Sequence, residues 1–167
     1  MAKITHDDIT RQFHLLKTNP QAFLDLTDRL VKQDTSDATS YFSRHQAWHQ
    51  LGRLDMALAD LNSSLHLERH ATTYQARGDL YRELGQYQLA IDDYNRAEAL
   101  APDNWPYCLG PLYRADCHAR LGNETAAVAD AETLPDFHWT PGMSGTPAGS
   151  REDVIPELRR RAAARNR

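Results

Sequence analysis

Residues 71–104 read ATTYQARGDLYRELGQYQLAIDDYNRAEALAPDN, from Ala71 to Asn104. Apolar side chains recur at spacings of three and four on both sides of Gly85, with helix formers between them. Gly85 supplies the left-handed backbone at which a first helix ends and the chain turns back into a second. No stretch alternates apolar and polar with a period of two, so no strand is expected anywhere.

The same pattern returns along the chain. Laid on itself at an offset of 33, the sequence places Trp48, Gly52, Ala57 and Asp60 on Tyr81, Gly85, Ala90 and Asp93, and a further 37 places His118, Gly122, Ala127 and Asp130 there. A degenerate copy precedes these: a shift of 35 sets Phe13, Leu16, Ala22, Phe23 and Leu26 on Trp48, Leu51, Ala57, Leu58 and Leu61. In that copy Asn19 and Pro20 replace the glycine turn, as N-cap and first helical residue. Alanine at 57, 90 and 127 fits a close crossing of two helices. Arg44, Arg77 and Arg114 recur on the first helix and Asp60, Asp93 and Asp130 on the second, a spacing that predicts a ladder of ion pairs aligning the hairpins. Tyr41 with Tyr74, and Phe13 with Trp48 and Tyr81, fall on packing faces and are expected in the core.

Tyr74-x2-Arg77-Gly78-x2-Tyr81, followed by Gly85, Tyr87, Ala90-x3-Tyr94, Ala97 and Pro102, resembles a tetratricopeptide repeat (TPR). The resemblance covers residues 38 to about 134, with a weak copy before it. It implies an all-α, right-handed superhelical TPR-like solenoid of antiparallel helix pairs with a C-terminal capping helix. The expected organisation is a TPR-like domain over 1–134 (degenerate repeat 3–37; repeats 38–70, 71–107 and 108–134), a Pro/Gly loop over 135–150, and a capping helix with a basic tail over 151–167. Three extra residues near Trp105, and Pro111 in an aromatic position, make the third clear copy begin irregularly. In the last segment Val154, Ile155, Leu158 and Ala162 form an apolar stripe set opposite Arg159, Arg160 and Arg161. Ser150 with Asp153 is one cap for that helix; Asp153 is the other, because Pro156 disfavours the earlier start.

The first helices of such arrays line a concave groove that binds peptides. By the resemblance, the groove side chains of the earlier copies are Arg11, His14, Phe42, Gln46, His49 and Gln50. Those of the later copies are Gln75, Asp79, Arg82, Tyr113, Asp116 and Arg120. The subfamily that grips a C-terminal carboxylate with Lys and Asn is not matched, since Phe42, Gln46, Ala76, Leu109 and Tyr113 stand at its positions.

Composition narrows the rest. The chain has 167 residues, 41% hydrophobic and 25% charged, the balance of one globular domain. Residues 1–150 carry 13 basic and 20 acidic groups, and residues 151–167 carry 6 and 3. An acidic body works against nucleic acid, so no nucleic-acid partner is expected. No apolar run suits a membrane span and the N-terminal residues lack a secretion signal, which sets the expectation at no membrane and a cytoplasmic location. Lysine stands only at 3, 17 and 32, leaving no amine for a phosphate loop or a Schiff base beyond Lys32. His45 with His49 and His66 with His70 have i,i+4 spacing, but a hairpin turning at Gly52 sets the pairs roughly 9 Å apart, so no metal is expected. Gly142-Met143-Ser144-Gly145 lacks the second glycine of a nucleophile elbow. Cys108 and Cys117 are expected as free thiols. The expected function is a non-catalytic protein or peptide-binding scaffold without cofactor. The alternative is a self-associating homo-oligomer whose groove is filled by its own 135–150 loop.

Overall fold

The computed structural model describes residue 12, residues 14–135 and residues 149–165. Arg11, Phe13 and most of the Pro/Gly loop, with its Gly142 to Gly145 motif, lie outside the described residues. The described chain is helical and contains no strand among those residues; it divides into two compact units, Met1–Arg69 and His70–Arg167.

In the first unit, residues 14–18 are helical and are followed by α1 (Pro20–Gln33), α2 (Ala38–Gln50) and α3 (Leu54–Leu67). Asn19 Oδ1 accepts the Ala22 amide at 3.0 Å and Pro20 opens α1, as the sequence implies. Asp37 caps α2, accepting the amides of Thr39 and Ser40 at 3.0 and 3.1 Å. Leu16, Phe23, Leu24 and Ala47 form the buried core, with Trp48 and Leu51 packed against it.

The second unit holds α4 (Ala71–Glu83), α5 (Tyr87–Leu100), a 3-10 turn (Trp105–Tyr107), α6 (Gly110–Arg120), α7 (Glu124–Glu132) and α8 (Arg151–Arg165). The irregular start of the third clear copy is this 3-10 turn. Trp105 in it is buried against Gly110, where a Cβ would meet the indole at 2.3 Å. Pro111 occupies the first turn of α6, where a missing N–H costs nothing. Ala90, Ile91, Tyr94, Ala97, Trp105 and Cys117 make one core cluster; Leu112, Ala115, Ala127, Leu134, Val154 and Leu158 belong to another.

Each clear hairpin turns at its glycine. Gly52, Gly85 and Gly122 have φ of 71°, 74° and 85°, and the next amide reaches back to close the helix end: Arg53 to Trp48, Gln86 to Tyr81 and Asn123 to His118. Five residues on, Ala57, Ala90 and Ala127 are fully buried, as the crossing requires. Gly78 makes room in the same way: a Cβ there would meet the buried Tyr94 ring at 2.9 Å.

The arginine ladder forms in all three hairpins. Arg44 Nε and Nη2 donate to both oxygens of Asp60 at 2.8 and 2.7 Å, and Arg77 does the same to Asp93 at 2.6 and 2.8 Å. Arg114 grips Asp130 at 2.9 and 2.6 Å. The remaining nitrogen reaches the preceding hairpin: Arg44 Nη1 bonds Asp28 at 2.8 Å, and Arg114 Nη1 bonds Asn95 and Glu98 at 2.7 and 2.5 Å. The bonded carboxylates hold the Arg44 and Arg77 guanidiniums above their ordinary pKa despite partial burial.

Helix α8 begins after Ser150, whose amide and hydroxyl both donate to Asp153 Oδ2, at 2.8 and 2.9 Å. Of the two caps the sequence allows, the earlier is used. Pro156 is tolerated inside the helix because the carbonyl it leaves unbonded belongs to the exposed Glu152. Val154, Leu158 and Ala162 are buried against α6 and α7, with Ile155 beside them. Arg151 donates to the carbonyls of Glu132 and Leu134 at the end of α7. No described helix is long and apolar enough to cross a membrane.

Replacing Ala90 with Leu is expected to overpack its crossing and cost roughly 1–3 kcal/mol; a urea midpoint equal to the parent's contradicts the close crossing. Asp93 is 1% exposed at its side chain and takes both Arg77 and Arg96. Asp93→Asn leaves those charges uncompensated and is expected to cost about 3–5 kcal/mol in urea unfolding. A loss below 1 kcal/mol would show the ladder to be a surface-type pair.

Candidate functional site

In the first unit His14 is exposed, and α2 presents Phe42 and Gln46 half-buried with His49 and Gln50 exposed. Phe42 tilts against the His45 ring at 4.7 Å, and His45 Nδ1 donates to the Phe42 carbonyl. Burial pulls the His45 imidazole down to about 4, with His49 adding a smaller push the same way. His45 therefore stays neutral and anchors the Phe42 turn from below.

In the second unit α4 supplies Gln75, Asp79 and Arg82, all half-buried, and α6 supplies Tyr113, Asp116 and Arg120. Tyr94 Oη donates to Asp79 at 2.6 Å, so the one phenol buried in this core rests on a half-buried carboxylate. The Arg82 guanidinium lies over the Tyr113 ring, 4.3 Å from its centre. Arg120 lies over Tyr87 at 5.4 Å and donates to its hydroxyl at 3.3 Å.

Asp116 is only 1% exposed, so it does not present its carboxylate to solvent in the groove. Arg120 Nε donates to it at 2.9 Å, Arg82 stands 3.8 Å away, and Arg161 of α8 bonds its other oxygen. Arg161 thereby departs from the expectation that it lies opposite the apolar stripe: its side chain is 15% exposed. The signal was present in the spacing, since 161 is seven residues after Val154 and three after Leu158, on the buried side of α8. Tyr87 also went unselected, because it belongs to a second helix.

Neither thiol offers a nucleophile. Burial and the neighbouring Asp116 push Cys117 up to about 12, and burial raises Cys108 as well. Cys108 follows the 3-10 turn and Cys117 lies in α6, both unpaired to any sulfur. Among the described residues no three His, Cys, Asp or Glu side chains gather where a metal would sit.

The family profile described as Tetratricopeptide repeat matches residues 71–104. No curated protein matches the chain. Among solved structures, a crystal structure of MamA superposes with a TM-score of 0.68 at 15% identity, over 99% of this chain and 96% of that one. YrrB, described as a TPR protein with an unusual peptide-binding site, gives 0.63 at 20% identity over 75% of this chain. TTC0263, a thermophilic TPR protein in Thermus thermophilus, gives 0.59 at 20% identity, covering 95% of this chain and 89% of that one. The chain spans 64% of the YrrB structure, and 63% of a second MamA structure. The hairpins, their glycine turns, the matched repeat and the superposed structures together give this chain the fold of a tetratricopeptide repeat solenoid. Its fold supports a protein-interaction scaffold.

His45 gives the first unit a pH dependence. The unfolded chain takes up a proton near the ordinary histidine value of 6.5, whereas the folded site resists it to about 4. Stability is then complete above pH 6.5 and falls as pH drops toward 4, by up to about 3 kcal/mol. His45→Gln is expected to flatten this slope between pH 6.5 and 5 in urea titrations. A slope unchanged by the substitution assigns the proton uptake elsewhere.

Proposed function

We propose that the chain is a non-catalytic scaffold that binds proteins or extended peptides through the groove-facing side chains of its first helices, α2 in the first unit and α4 and α6 in the second. The observation that carries this reading is the contrast between recurring and non-recurring positions. The glycine, alanine and Arg-Asp columns are consumed by folding, whereas Gln46, His49 and Gln75 are half-buried or exposed polar residues at positions where the repeat imposes nothing. Amide and imidazole groups of this kind suit the carbonyls and amides of an extended chain. YrrB, similar in fold, is described by its peptide-binding site. In this reading the helical hairpins of 1–134 do the binding and 151–167 closes the array, the protein acting as an adaptor without cofactor. The self-associating alternative needs the 135–150 loop, most of which lies outside the described residues.

The test is selection of peptides from a random display library on the full chain. Gln46→Ala combined with His49→Ala, both on α2, is expected to weaken a selected peptide at least tenfold while moving stability by only about 0.5 kcal/mol. Met56 and Leu89, exposed on second helices, serve as the control. If their replacement by Ser abolishes binding and the first-helix pair does not, the working face is the opposite one.

A further inference from the structure

We infer that the cleft lined by Thr35, Tyr41, Asn62, Ser63, His66 and Leu67 is a site for one arginine side chain of a partner protein or peptide. It holds about 380 Å³ and lies within the first unit, where the α1–α2 connection and the first turn of α2 meet the second half of α3. None of its lining residues is among those assigned to peptide binding above.

The three clear hairpins carry different residues eleven places after the turn glycine: Ser63, Arg96 and Thr133. In the second hairpin Arg96 folds over the Tyr74 ring, 5.9 Å from its centre, and donates to Asp93 Oδ1 at 2.8 Å. Tyr74 thereby carries two guanidiniums, since Arg77 of the ladder stands 5.7 Å from the same ring. In the third hairpin the residue is again short, and a guanidinium arrives from another helix. Arg151 of α8 donates to the carbonyls of Glu132 and Leu134, on either side of Thr133. In the first hairpin Tyr41 has its ladder arginine at 5.5 Å, as Tyr74 does, but position 63 offers only a hydroxyl, which donates to the Ala59 carbonyl at 3.1 Å. The cleft lies between that short residue and the tyrosine, where the second hairpin places Arg96.

Charge differs between the two hairpins in the same sense. Asp93 is shared by Arg77 and Arg96, one carboxylate for two cations. Arg44 is shared by Asp28 and Asp60, two carboxylates for one cation. The ladder group of the first hairpin therefore keeps a net negative charge beside an aromatic face. Asp60 Oδ1 accepts one hydrogen bond where Asp93 Oδ1 accepts two. A guanidinium answers both features, because it stacks on a ring and donates from its edge at once, which an ammonium does not. Leu67, 40% exposed, gives the methylene stem an apolar surface. Tyr41 Oη donates to the Thr35 carbonyl at 3.4 Å, so the ring is oriented before a ligand arrives.

The full chain, with its tyrosine rings ¹³C-labelled, is titrated with three alanine hexapeptides capped at both ends and carrying a central Arg, Lys or citrulline. One side chain in an open cleft supports millimolar affinity, so the titration runs to about 20 mM. The Tyr41 ring resonance, assigned with Tyr41→Phe, is expected to shift saturably with the Arg peptide, more weakly with the Lys peptide, and not with the citrulline peptide, which keeps the shape without the charge. Ser63→Arg is expected to fill the cleft from within, moving the Tyr41 resonance in the direction the peptide moves it and cutting Arg-peptide affinity at least tenfold. Gln46→Ala combined with His49→Ala, farther along α2, is expected to leave that affinity unchanged. The absence of a saturable shift, an equal response to citrulline, or Lys binding as tight as Arg overturns the site. So does a folded Ser63→Arg protein whose Tyr41 resonance and peptide affinity match the parent's. Loss of the Arg response in the α2 pair assigns the peptide to the first-helix face and overturns the cleft as well. If Ser63→Arg does not fold, the comparison of Arg with citrulline on the parent chain decides alone.

Discussion

A guanidinium that closes with two hydrogen bonds on a carboxylate sixteen residues later fixes how a hairpin folds. In each clear copy the turn glycine stands midway: Gly52 between Arg44 and Asp60, Gly85 between Arg77 and Asp93, Gly122 between Arg114 and Asp130. Eight residues out and eight back place the partners at equal height, roughly 12 Å along each helix from the turn. A slip by one residue on either helix would rotate one partner about 100° away and bury an unmatched charge. The left-handed glycine and the ion pair therefore specify the same register independently. The free nitrogen of Arg44 and of Arg114 extends that register to the hairpin before.

Within this frame the residues at the crossing trade volume. Gly78 admits the Tyr94 ring, while the corresponding places of the third clear copy hold Ala115 and Ala131, and those of the first hold His45 and Leu61. Glycine is required only where the large Tyr94 ring crosses, which is why the column at 78 looks irregular when read alone. Alanine at 57, 90 and 127 has no such latitude, being fully buried in all three copies.

This separates what a single sequence displays from what it conceals. Turn glycines, crossing alanines and the Arg-Asp pairs recur at fixed offsets, so self-alignment reveals them without knowledge of any contact. Asp28 and Glu98, the partners that Arg44 and Arg114 take from the preceding hairpin, were not legible in this way. They fall sixteen residues before their arginines, but the position before Arg77 is Leu61, which breaks the column. Arg161 was misread for a related reason. In an Arg-Arg-Arg run, charge suggests one solvated face, while helical periodicity rotates each arginine by about 100° and sends the third toward the buried side. There it meets Asp116 on α6 and Glu157 one turn back on its own helix, which compensate the buried charge.

Asp116 consequently does two jobs that a groove residue in an open array would not combine. Its bond to Arg161 ties the closing helix to α6, and its bond to Arg120 holds that guanidinium over Tyr87. The closing helix and the last turn of α6 thus share one buried carboxylate. Closing a solenoid requires covering the apolar face of Leu112, Ala115 and Ala119, which Val154, Leu158 and Ala162 accomplish by burial alone. The ion pair adds direction to that burial: it selects the one rotation of α8 that brings position 161 to α6.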